Sequence, residues 1–316
     1  MRTISIVTPC FNEEENVNEI YQAVKQVFAT LPAYRYEHIF IDNASTDRTV
    51  SILKSLAALD KNVKIIMNSR NFGWIRSPVY GVLQAKGDAV ICMSADLQDP
   101  PSLIPEFIKK WEEGFKIVVG VKAKSDEATF LFWIRKSYYK FVKMISDVKL
   151  INNFTGYGLY DKSVIAIMQK FGDAYPYFRG MLSEIGFDVA EIPFHQPVRQ
   201  RGFSKGNFYR LYDVAMLGIT THSKVPLRIL TMSGFALSII SCMISIAYVV
   251  LKLLFWKSFA LGLAPILIGL FFFFSLQMLF VGLLGEYIAS IHTQVLNRPL
   301  VIESGRINFD CLDEQA

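Results

Sequence analysis

Cysteine and histidine are scarce in this sequence, and each occurs only four times in 316 residues. The four cysteines are scattered, without the spacing of a disulfide framework or a zinc site, and this usage fits a reducing compartment. Excess charge is small as well. The formal net charge of +5 is too low to indicate a nucleic-acid partner, although it suits a protein lying against an anionic membrane.

Charge is absent altogether from two long stretches, residues 229–251 and 258–285. Each exceeds the roughly 20 apolar residues that a helix needs to cross a bilayer. Two buried helices of a soluble protein would also give such runs, but residues 269–275 are apolar on every side, unlike an amphipathic helix packed on a surface. The sequence therefore predicts two transmembrane helices, at about 229–252 and 261–286.

The rest of the chain has mixed charge and lies before and after the predicted membrane segment at 229–288. We predict a soluble domain over 1–206, a juxtamembrane amphipathic helix over 207–228 and a tail over 289–316. The strand-like Met1–Cys10 is too short for a secretory signal. We therefore expect a multi-pass protein of the inner (cytoplasmic) membrane, with its large domain and its tail in the cytoplasm. Basic residues lie near both ends of the spans, so their count does not decide the orientation.

Strands and helices alternate through the first hundred residues. Apolar runs predict strands at Ile4–Pro9, His38–Asp42, Val63–Met67 and Ala89–Met93, and helices that end near Phe28 and cover Thr49–Leu59 and Trp74–Ala85. This alternation predicts an α/β fold with a doubly wound, mostly parallel sheet.

Beyond residue 100 the patterns are less regular. We expect a strand at Lys116–Val121, a turn-rich loop at Asn152–Gly158 and a helix at Lys162–Lys170. Residues 130–145 predict either a basic amphipathic helix on the membrane surface or a core helix with a solvated face.

The stretch Ala89–Pro101 places polar side chains directly after a buried strand. In an open α/β sheet, ligands bind beyond the carboxyl ends of the strands. Asp96 and Gln98 are two residues apart, so in an extended chain their side chains point the same way and are able to share one hard cation. The alternative is an ordinary Asp/Pro turn, and the motif alone does not decide between the two.

Several motifs, taken together with the paired C-terminal apolar runs, resemble the family-2, A-fold glycosyltransferases. They also resemble, more narrowly, the polyprenyl-phosphate glycosyltransferases, a group that includes bactoprenyl-phosphate glucosyltransferases and dolichyl-phosphate mannose synthases. The motifs are Thr8–Glu13, Ile41–Asp47, Arg70–Gly73, Ser94–Pro101 and Arg201–Lys205.

For the nucleotide, the resemblance implies that the loop after the first strand and the Asp-rich turn hold the donor. The implied nucleotide-binding residues are Pro9, Phe11, Glu13, Asp42 and Asn43. A carboxylate accepts a hydrogen bond from a base N–H, and an aromatic ring gives the base a face. Asp42 would alternatively cap the next helix, a role that Asp47 is equally placed to fill. Asn43 stands where relatives often carry a second aspartate.

For the metal, the resemblance implies Mg²⁺ or Mn²⁺ bound by Asp96 and Gln98. The family motif usually reads Asp-x-Asp-x-Gln, whereas this chain has Ser94 in the first place. Such a site would depend on the donor diphosphate for its remaining ligands.

For the phosphates, the resemblance implies that Lys122 and Arg135 bind the acceptor phosphate. The resemblance also implies that Arg201 and Lys205 belong to a mobile basic loop that closes over the donor diphosphate and the acceptor, and that these two residues and Asp96 form the catalytic set. Each cation taken singly would be a solvated surface charge.

The implied reaction is inverting transfer of a hexose, glucose from UDP-glucose, to a membrane polyprenyl phosphate for modification of a cell-envelope glycan. Mannose from GDP-mannose and a non-catalytic membrane scaffold are the alternatives, and a homo-oligomer is left open. A processive polysaccharide synthase would carry a Gln-x-x-Arg-Trp motif and more spans, and this sequence has neither.

Overall fold

The structure, a computed structural model, describes residues 1–122, 151, 154–197, 216–220, 223–255 and 263–309. In the first half, runs of β-branched residues form strands and segments with helically spaced apolar residues form helices. The elements are β1 (Arg2–Cys10), α1 (Val17–Ala29), β2 (Tyr34–Asp42), α2 (Thr49–Leu59), β3 (Val63–Asn68), α3 (Gly73–Gln84) and β4 (Ala89–Cys92). The strands and helices predicted here are confirmed, with ends shifted by a few residues.

The second half adds four more strands and five more helices within the described residues. They are α4 (Ile104–Glu112), β5 (Ile117–Lys122), β6 (Phe154–Asp161), α5 (Lys162–Phe171), α6 (Phe178–Ile185), β7 (Val189–Phe194), α7 (Val225–Leu254), α8 (Leu263–Val295) and β8 (Glu303–Ile307). The helix proposed at residues 130–145 lies outside the described residues.

The strands form one sheet in the order β7-β5-β6-β4-β1-β2-β3-β8. β1 pairs in parallel with β2 and β4, and β2 pairs in parallel with β3. β6 runs antiparallel to both β4 and β5, and β8 runs antiparallel to β3. The sheet is therefore mixed, and the predicted parallel arrangement holds for its centre, β4-β1-β2-β3.

The predicted turn-rich loop at Asn152–Gly158 is wrong from residue 154 onward, because that segment belongs to β6. Its glycine at position 158 serves close packing rather than a turn. A Cβ on Gly158 would come within 2.4 Å of the carbonyl oxygen of Val118 on the neighbouring β5. Glycine in a strand often marks such an approach of two backbones.

Helices cover both faces of the sheet, so the core has two parts. One part lies beneath α1, α2 and α4 and includes Ile20, Leu53 and Phe107. The other lies beneath α3, α5 and α6 and includes Val82 and Met168. Since α3 lies on the face opposite α1 and α2, the sheet is wound in both directions from β1, as the alternation predicted.

Two long helices follow the sheet domain, α7 with 30 residues and α8 with 33. In the described chain, one stretch is long and apolar enough to cross a membrane, Gly269–Val295, and Val225–Ser241 is a shorter apolar stretch. Large apolar side chains of α8 lie outside the core, and Phe271 is 66% exposed. α7 begins before residue 229, so the predicted boundary between a juxtamembrane helix and a first span falls inside one helix.

After α8 the chain returns to the sheet, which the prediction of a simple tail did not anticipate. β8 pairs with the edge of β3, and Ser69 N donates a hydrogen bond of 2.8 Å to the carbonyl oxygen of Ile302. Arg306 also donates to Gln84 Oε1 on α3 at 2.6 Å. The return covers the β3 edge and ties the end of α8 to the sheet domain.

Candidate active site

The site lies where the chain reverses its direction across the sheet. From β1 it proceeds outward to β2 and β3, and α3 then carries it back to β4 on the other side of β1. Ligands bind at such a switch point, beyond the carboxyl ends of the strands. A cavity of about 340 Å³ opens there, and its wall includes Cys10 at the end of β1, Asn43 after β2 and Ser94 after β4.

The loops after β1 and β2 are joined by hydrogen bonds that run in both directions. Asn12 N donates to Ser45 Oγ at 2.9 Å, and Thr46 N donates back to Asn12 Oδ1 at 2.8 Å. Glu13 N donates to Thr49 Oγ1 at 2.9 Å. Asn12 has a positive φ of 56°, a conformation that asparagine tolerates better than most residues. The two loops therefore form one braced rim before any ligand binds.

Two aspartates in this rim have different environments. Asp47 Oδ1 accepts from Thr49 N, the first residue of α2, at 2.9 Å, so Asp47 satisfies a backbone donor at the start of that helix from the position before the N-cap residue Arg48. Burial would raise the pKa of Asp47, but hydrogen bonds with Thr49 outweigh it and hold the pKa below its ordinary value. Asp42 is 1% exposed, and burial raises its pKa even though Ser45 N donates to its Oδ2 at 3.0 Å.

The second oxygen of Asp42, Oδ1, is buried and finds no hydrogen-bond partner among the described residues. A buried carboxylate oxygen without a donor is costly, and a ligand N–H or O–H would relieve that cost. This environment agrees with the expectation that Asp47 caps the helix and leaves Asp42 for another role.

The other proposed nucleotide residues lie on the same rim. Pro9 and Phe11 line the cavity. Glu13 Oε2 accepts from Asn16 Nδ2 at 2.6 Å, which orients its carboxylate at the start of α1. The structure thus brings these residues together with Asp42, while their contact with a nucleotide stays a prediction.

Asn43 lines the cavity but uses its whole side-chain amide inside the protein. Its Nδ2 donates to Asn71 Oδ1 at 2.9 Å and to the carbonyl oxygen of Gly73 at 3.2 Å. Its Oδ1 accepts from Asn68 Nδ2 at 3.1 Å and from Phe72 N at 2.9 Å. An amide makes at most these four hydrogen bonds, so Asn43 ties the loop after β3 to the end of β2.

The residues after β4 form a tight turn rather than the extended chain that the sequence argument assumed. Leu97 has a φ of 59°, and Gln98 N donates to Asp96 Oδ1 at 3.2 Å. The alternation rule for extended chains therefore does not apply to Asp96 and Gln98. The two residues still share one half-exposed turn between the cavity residues Ser94 and Asp99, and this hydrogen bond rather than strand geometry holds them together.

Asp99 is a cavity residue that the sequence reasoning left without a role. It is 6% exposed, lines the cavity, and accepts a hydrogen bond of 2.9 Å from Ser94 N. Burial raises the pKa of Asp99 in spite of that hydrogen bond. The sequence shows a third polar side chain in this motif, but only the reversal at Leu97 turns it inward.

Of the four predicted phosphate-binding cations, only Lys122 lies within the described residues, at the end of β5. The positive charge of Lys122 opposes the rise in the pKa of Asp99, which means that the ammonium group lies near that carboxylate. Arg135, Arg201 and Lys205 lie outside the described residues. A further cation that the sequence reasoning missed is Arg179 on α6, which lines the cavity.

A divalent metal would find only part of a site in the described chain. No group of three or more His, Cys, Asp or Glu side chains with metal-binding geometry occurs there. The turn after β4 nevertheless offers oxygen donors of the kind that Mg²⁺ and Mn²⁺ prefer, from the Asp96 carboxylate and the Gln98 amide. Gln98 Nε2 lies 3.5 Å from the carbonyl oxygen of Pro197, so the amide nitrogen and not its oxygen makes that contact. These residues fit a metal whose other ligands come from a bound diphosphate.

Comparison with protein families identifies the domain that carries this site. The model described as glycosyl transferase family 2 matches residues 5–181, which is more than half of the chain. The chain belongs to glycosyl transferase family 2. The matched residues contain most of β1, the elements through β6 and all of the described residues that line the cavity, so this glycosyltransferase carries its candidate site in the family domain.

The similarity to known glycosyltransferases extends over nearly the whole chain. The protein is 34% identical over 302 residues to bactoprenol glucosyl transferase of Shigella phage SfII, covering 95% of this chain and 96% of that protein. It is 32% identical over 299 residues to the uncharacterized glycosyltransferase YkcC of Bacillus subtilis (strain 168), covering 94% and 92%. Among solved structures, a mannosyltransferase from Pyrobaculum calidifontis in complex with GDP-Man and Mn²⁺ matches with a TM-score of 0.47 and 13% identity, covering 93% of this chain and 87% of that one.

Proposed function

We propose that this glycosyltransferase moves glucose from UDP-glucose to a membrane polyprenyl phosphate, with inversion at the anomeric carbon. The observation that carries the proposal is the mixed lining of the cavity at the switch point. Loops after β1, β2 and β4 contribute polar groups, and α3 and α6 contribute apolar side chains. A polar sugar nucleotide and an apolar lipid are therefore able to meet in one cavity, and the names of the phage and bacterial relatives agree with this pair of substrates.

The donor binds on the braced rim in this proposal. Phe11 and Pro9 lie against the base or ribose, Asp42 Oδ1 accepts a hydrogen bond from the nucleoside, and Glu13 lies beside it. Asn43 acts through the loop after β3, since its amide is already engaged by the protein. The unpartnered buried oxygen of Asp42 supports this assignment, because a ligand donor would satisfy it.

The divalent metal would be held by Asp96 and Gln98 together with the donor diphosphate. When bound, such an ion neutralises the charge that develops on the leaving nucleoside diphosphate. Asp96 orients the diphosphate at the edge of the cavity, and the basic residues Arg201 and Lys205 approach the same phosphates. This division of roles is a proposal from the motif and from the turn geometry.

The acceptor needs little chemical activation. A phosphate monoester has a second pKa of about 6 and is largely dianionic at neutral pH, so its oxygen attacks without a strong general base. Lys122 and Arg135 hold that phosphate in the proposal, and catalysis consists of positioning and charge stabilisation. A single displacement on the face opposite the leaving group inverts the anomeric carbon.

We further propose that α7 and α8 both cross the inner membrane and keep the sheet domain at its cytoplasmic surface. The exposed apolar side chains of α8 support this, because a soluble protein rarely leaves such a surface in water. The pairing of β8 with β3 returns the chain to the sheet domain after α8. This return is expected if the start of α7 and the end of α8 lie on the same side of the membrane.

Transfer from labelled nucleotide sugars to an organic-extractable lipid tests the proposal directly. Purified protein in detergent, with undecaprenyl phosphate and Mg²⁺ or Mn²⁺, is expected to label the lipid from UDP-glucose and not from GDP-mannose. Reactions without lipid correct for donor hydrolysis. Labelling from GDP-mannose alone would make the sugar assignment wrong, and no transfer from any nucleotide sugar would favour the scaffold.

A further inference from the structure

The cavity has an apolar wall that a sugar nucleotide does not require. Between α3 and α6, this wall consists of Trp74, Ile75, Pro78, Val79, Tyr177 and Phe178. Apolar surface of this kind favours a ligand that loses contact with water on binding. Sugars and phosphates present few such groups, so the wall points to an apolar part of a second substrate.

Among the described residues that line the cavity, one is a cation and lies beside the apolar wall. Arg179 follows Phe178 on α6, lines the same cavity and is half-buried. Burial raises the pKa of Tyr160 and the positive charge of Arg179 partly opposes that rise, which places the guanidinium near Tyr160 on β6. A guanidinium beside an apolar cavity is complementary to an amphiphile with an anionic head, because the fork of N–H groups matches phosphate oxygens.

The same wall is connected to the helices that we propose to cross the membrane. Ala174 N, just before the wall segment, donates to Gln294 Oε1 near the end of α8 at 3.0 Å. A Cβ on Gly218, in the helical residues 216–220, would lie 3.3 Å from Cζ of Tyr177. Tyr287 on α8 donates to the carbonyl oxygen of Ser223 at 2.8 Å, next to the start of α7. The segment that carries Tyr177 and Phe178 is therefore tied directly to α8 and to the helical residues that precede α7.

From these three observations we propose that the wall between α3 and α6 binds the first isoprene units of the lipid acceptor and that Arg179 binds its phosphate. The inference rests on the proposed function and adds an acceptor subsite to it. Arg179 would act together with Lys122, which lies close enough to the cavity residue Asp99 to oppose the rise in its pKa. The occupant is a prenyl phosphate, and neither a free phosphate nor a neutral lipid satisfies both parts of the subsite.

Equilibrium binding of three probes separates the two parts without requiring turnover. Farnesyl phosphate, farnesol and inorganic phosphate are titrated into the full-length protein in detergent by calorimetry, with farnesol reporting partition into micelles. Wild-type protein is expected to bind farnesyl phosphate on the order of tenfold or more tightly than either of the other probes. Equal affinity for farnesyl phosphate and farnesol would overturn the role of Arg179.

Variants then assign the two contributions. Arg179→Ala should weaken farnesyl phosphate roughly ten- to a hundredfold and leave farnesol nearly unchanged. Ile75→Trp, which fills the cavity, and Trp74→Ala, on a side chain that is 56% exposed, should weaken both farnesyl compounds. The Trp74 variant keeps the test valid if the larger side chain at position 75 prevents folding. Unchanged binding of farnesyl phosphate by both Arg179→Ala and Trp74→Ala would reject the subsite.

Matched controls alter similar side chains away from the cavity. Lys162→Ala removes a cation whose side chain is 69% exposed and pairs with Asp88 at the amino end of β4. Leu59→Trp adds an aromatic ring at a position that is 86% exposed. Neither should change farnesyl phosphate affinity, and a loss in either control equal to that in the cavity variants would overturn the assignment.

Failure of this inference is distinguishable from failure of the proposed function. If the protein transfers sugar to polyprenyl phosphate but the three cavity variants keep the wild-type acceptor KM, the acceptor lies elsewhere and only the inference is wrong. If no lipid is glycosylated but farnesyl phosphate binds with the predicted dependence on Arg179, the subsite stands and the transferase assignment fails.

Discussion

The rim formed by β1 and β2 differs from the rim formed by β4 in the way it is held. The loops after β1 and β2 bind each other through side-chain to backbone hydrogen bonds, such as Asn12 N to Ser45 Oγ at 2.9 Å. The turn after β4 is held mainly by bonds within itself, such as Gln98 N to Asp96 Oδ1 at 3.2 Å. The first rim is therefore built before a ligand arrives, whereas we propose that a bound diphosphate and metal complete the second.

This difference predicts where substitutions will act. Changes in the β1 and β2 rim should reduce stability or donor affinity, because that rim is part of the folded framework. Changes in the turn after β4 should reduce turnover at nearly constant stability, because a half-exposed turn contributes little to the core. Three predictions test this contrast, beginning with the largest expected effect, and a fourth concerns a buried histidine in the framework beneath the first rim.

Asp96→Asn should lower turnover on the order of a thousandfold, because the amide removes the carboxylate that we assign to the metal and the diphosphate. The melting temperature should stay close to that of wild type. Steady-state transfer assays with thermal unfolding in the same detergent measure both quantities, and Glu112→Gln on α4 serves as a control carboxylate. Near-normal turnover of this variant, or of wild type in EDTA, would show that the metal assignment is wrong.

Asn43→Ala should destabilise the protein by about 2–4 kcal/mol, since it removes four hydrogen bonds and leaves Asn68 without one of its acceptors. Thermal or denaturant unfolding measures the change. Asn62→Ala, at an exposed position, provides the control and should be nearly neutral. A stable Asn43→Ala protein with impaired donor binding would instead make Asn43 a direct nucleotide ligand.

Asp42→Asn should weaken donor binding by roughly ten- to a hundredfold, because a neutral amide accepts a hydrogen bond less strongly than a carboxylate. Calorimetric titration with UDP-glucose, without lipid, measures the affinity. The informative comparison is Asp47→Ala, which should lower the melting temperature by removing the acceptor for Thr49 N at the start of α2 and leave donor affinity nearly unchanged. The opposite pattern would exchange the roles of the two aspartates.

The smallest effect concerns pH and a buried histidine on β2. His38 is fully buried, and burial lowers its pKa from 6.5 to about 3. Between these values the unfolded chain binds a proton that the folded protein does not. This contribution to stability is complete above pH 6.5 and is lost as the pH falls, by up to about 1.4 kcal/mol per unit. Melting curves from pH 7.5 to 5 should therefore decline less steeply for His38→Gln than for wild type.

His195→Gln is the matched control for this comparison, because His195 is exposed. It should decline with pH in parallel with wild type. If the melting temperature of His38→Gln falls with pH as steeply as that of wild type, His38 does not contribute to the acid sensitivity of the fold.

The sequence by itself determined the strands and helices of the first half of this protein. The strands β1 to β4, the helices α1 to α3 and the position of the site beyond the strand ends follow from local patterns, because a buried parallel strand and an amphipathic helix each leave a periodic signature. The family motifs lie in the loops that these elements present. The separate roles of Asp47 as a cap and Asp42 as a residue left with an unpartnered oxygen were also accessible from the sequence.

Only the tertiary structure decided the features that depend on distant partners. Phe154–Asp161 forms a strand because it pairs with β4 on one side and with β5 on the other. Its glycines predict a turn when the sequence is considered without these neighbours. The amide of Asn43 is consumed by the loop after β3, and Arg179 reaches the cavity because α6 packs opposite α3. β8 joins β3 from more than two hundred residues away along the chain. Periodicity reports which face of an element is buried, but only the assembled sheet determines which other segment buries it.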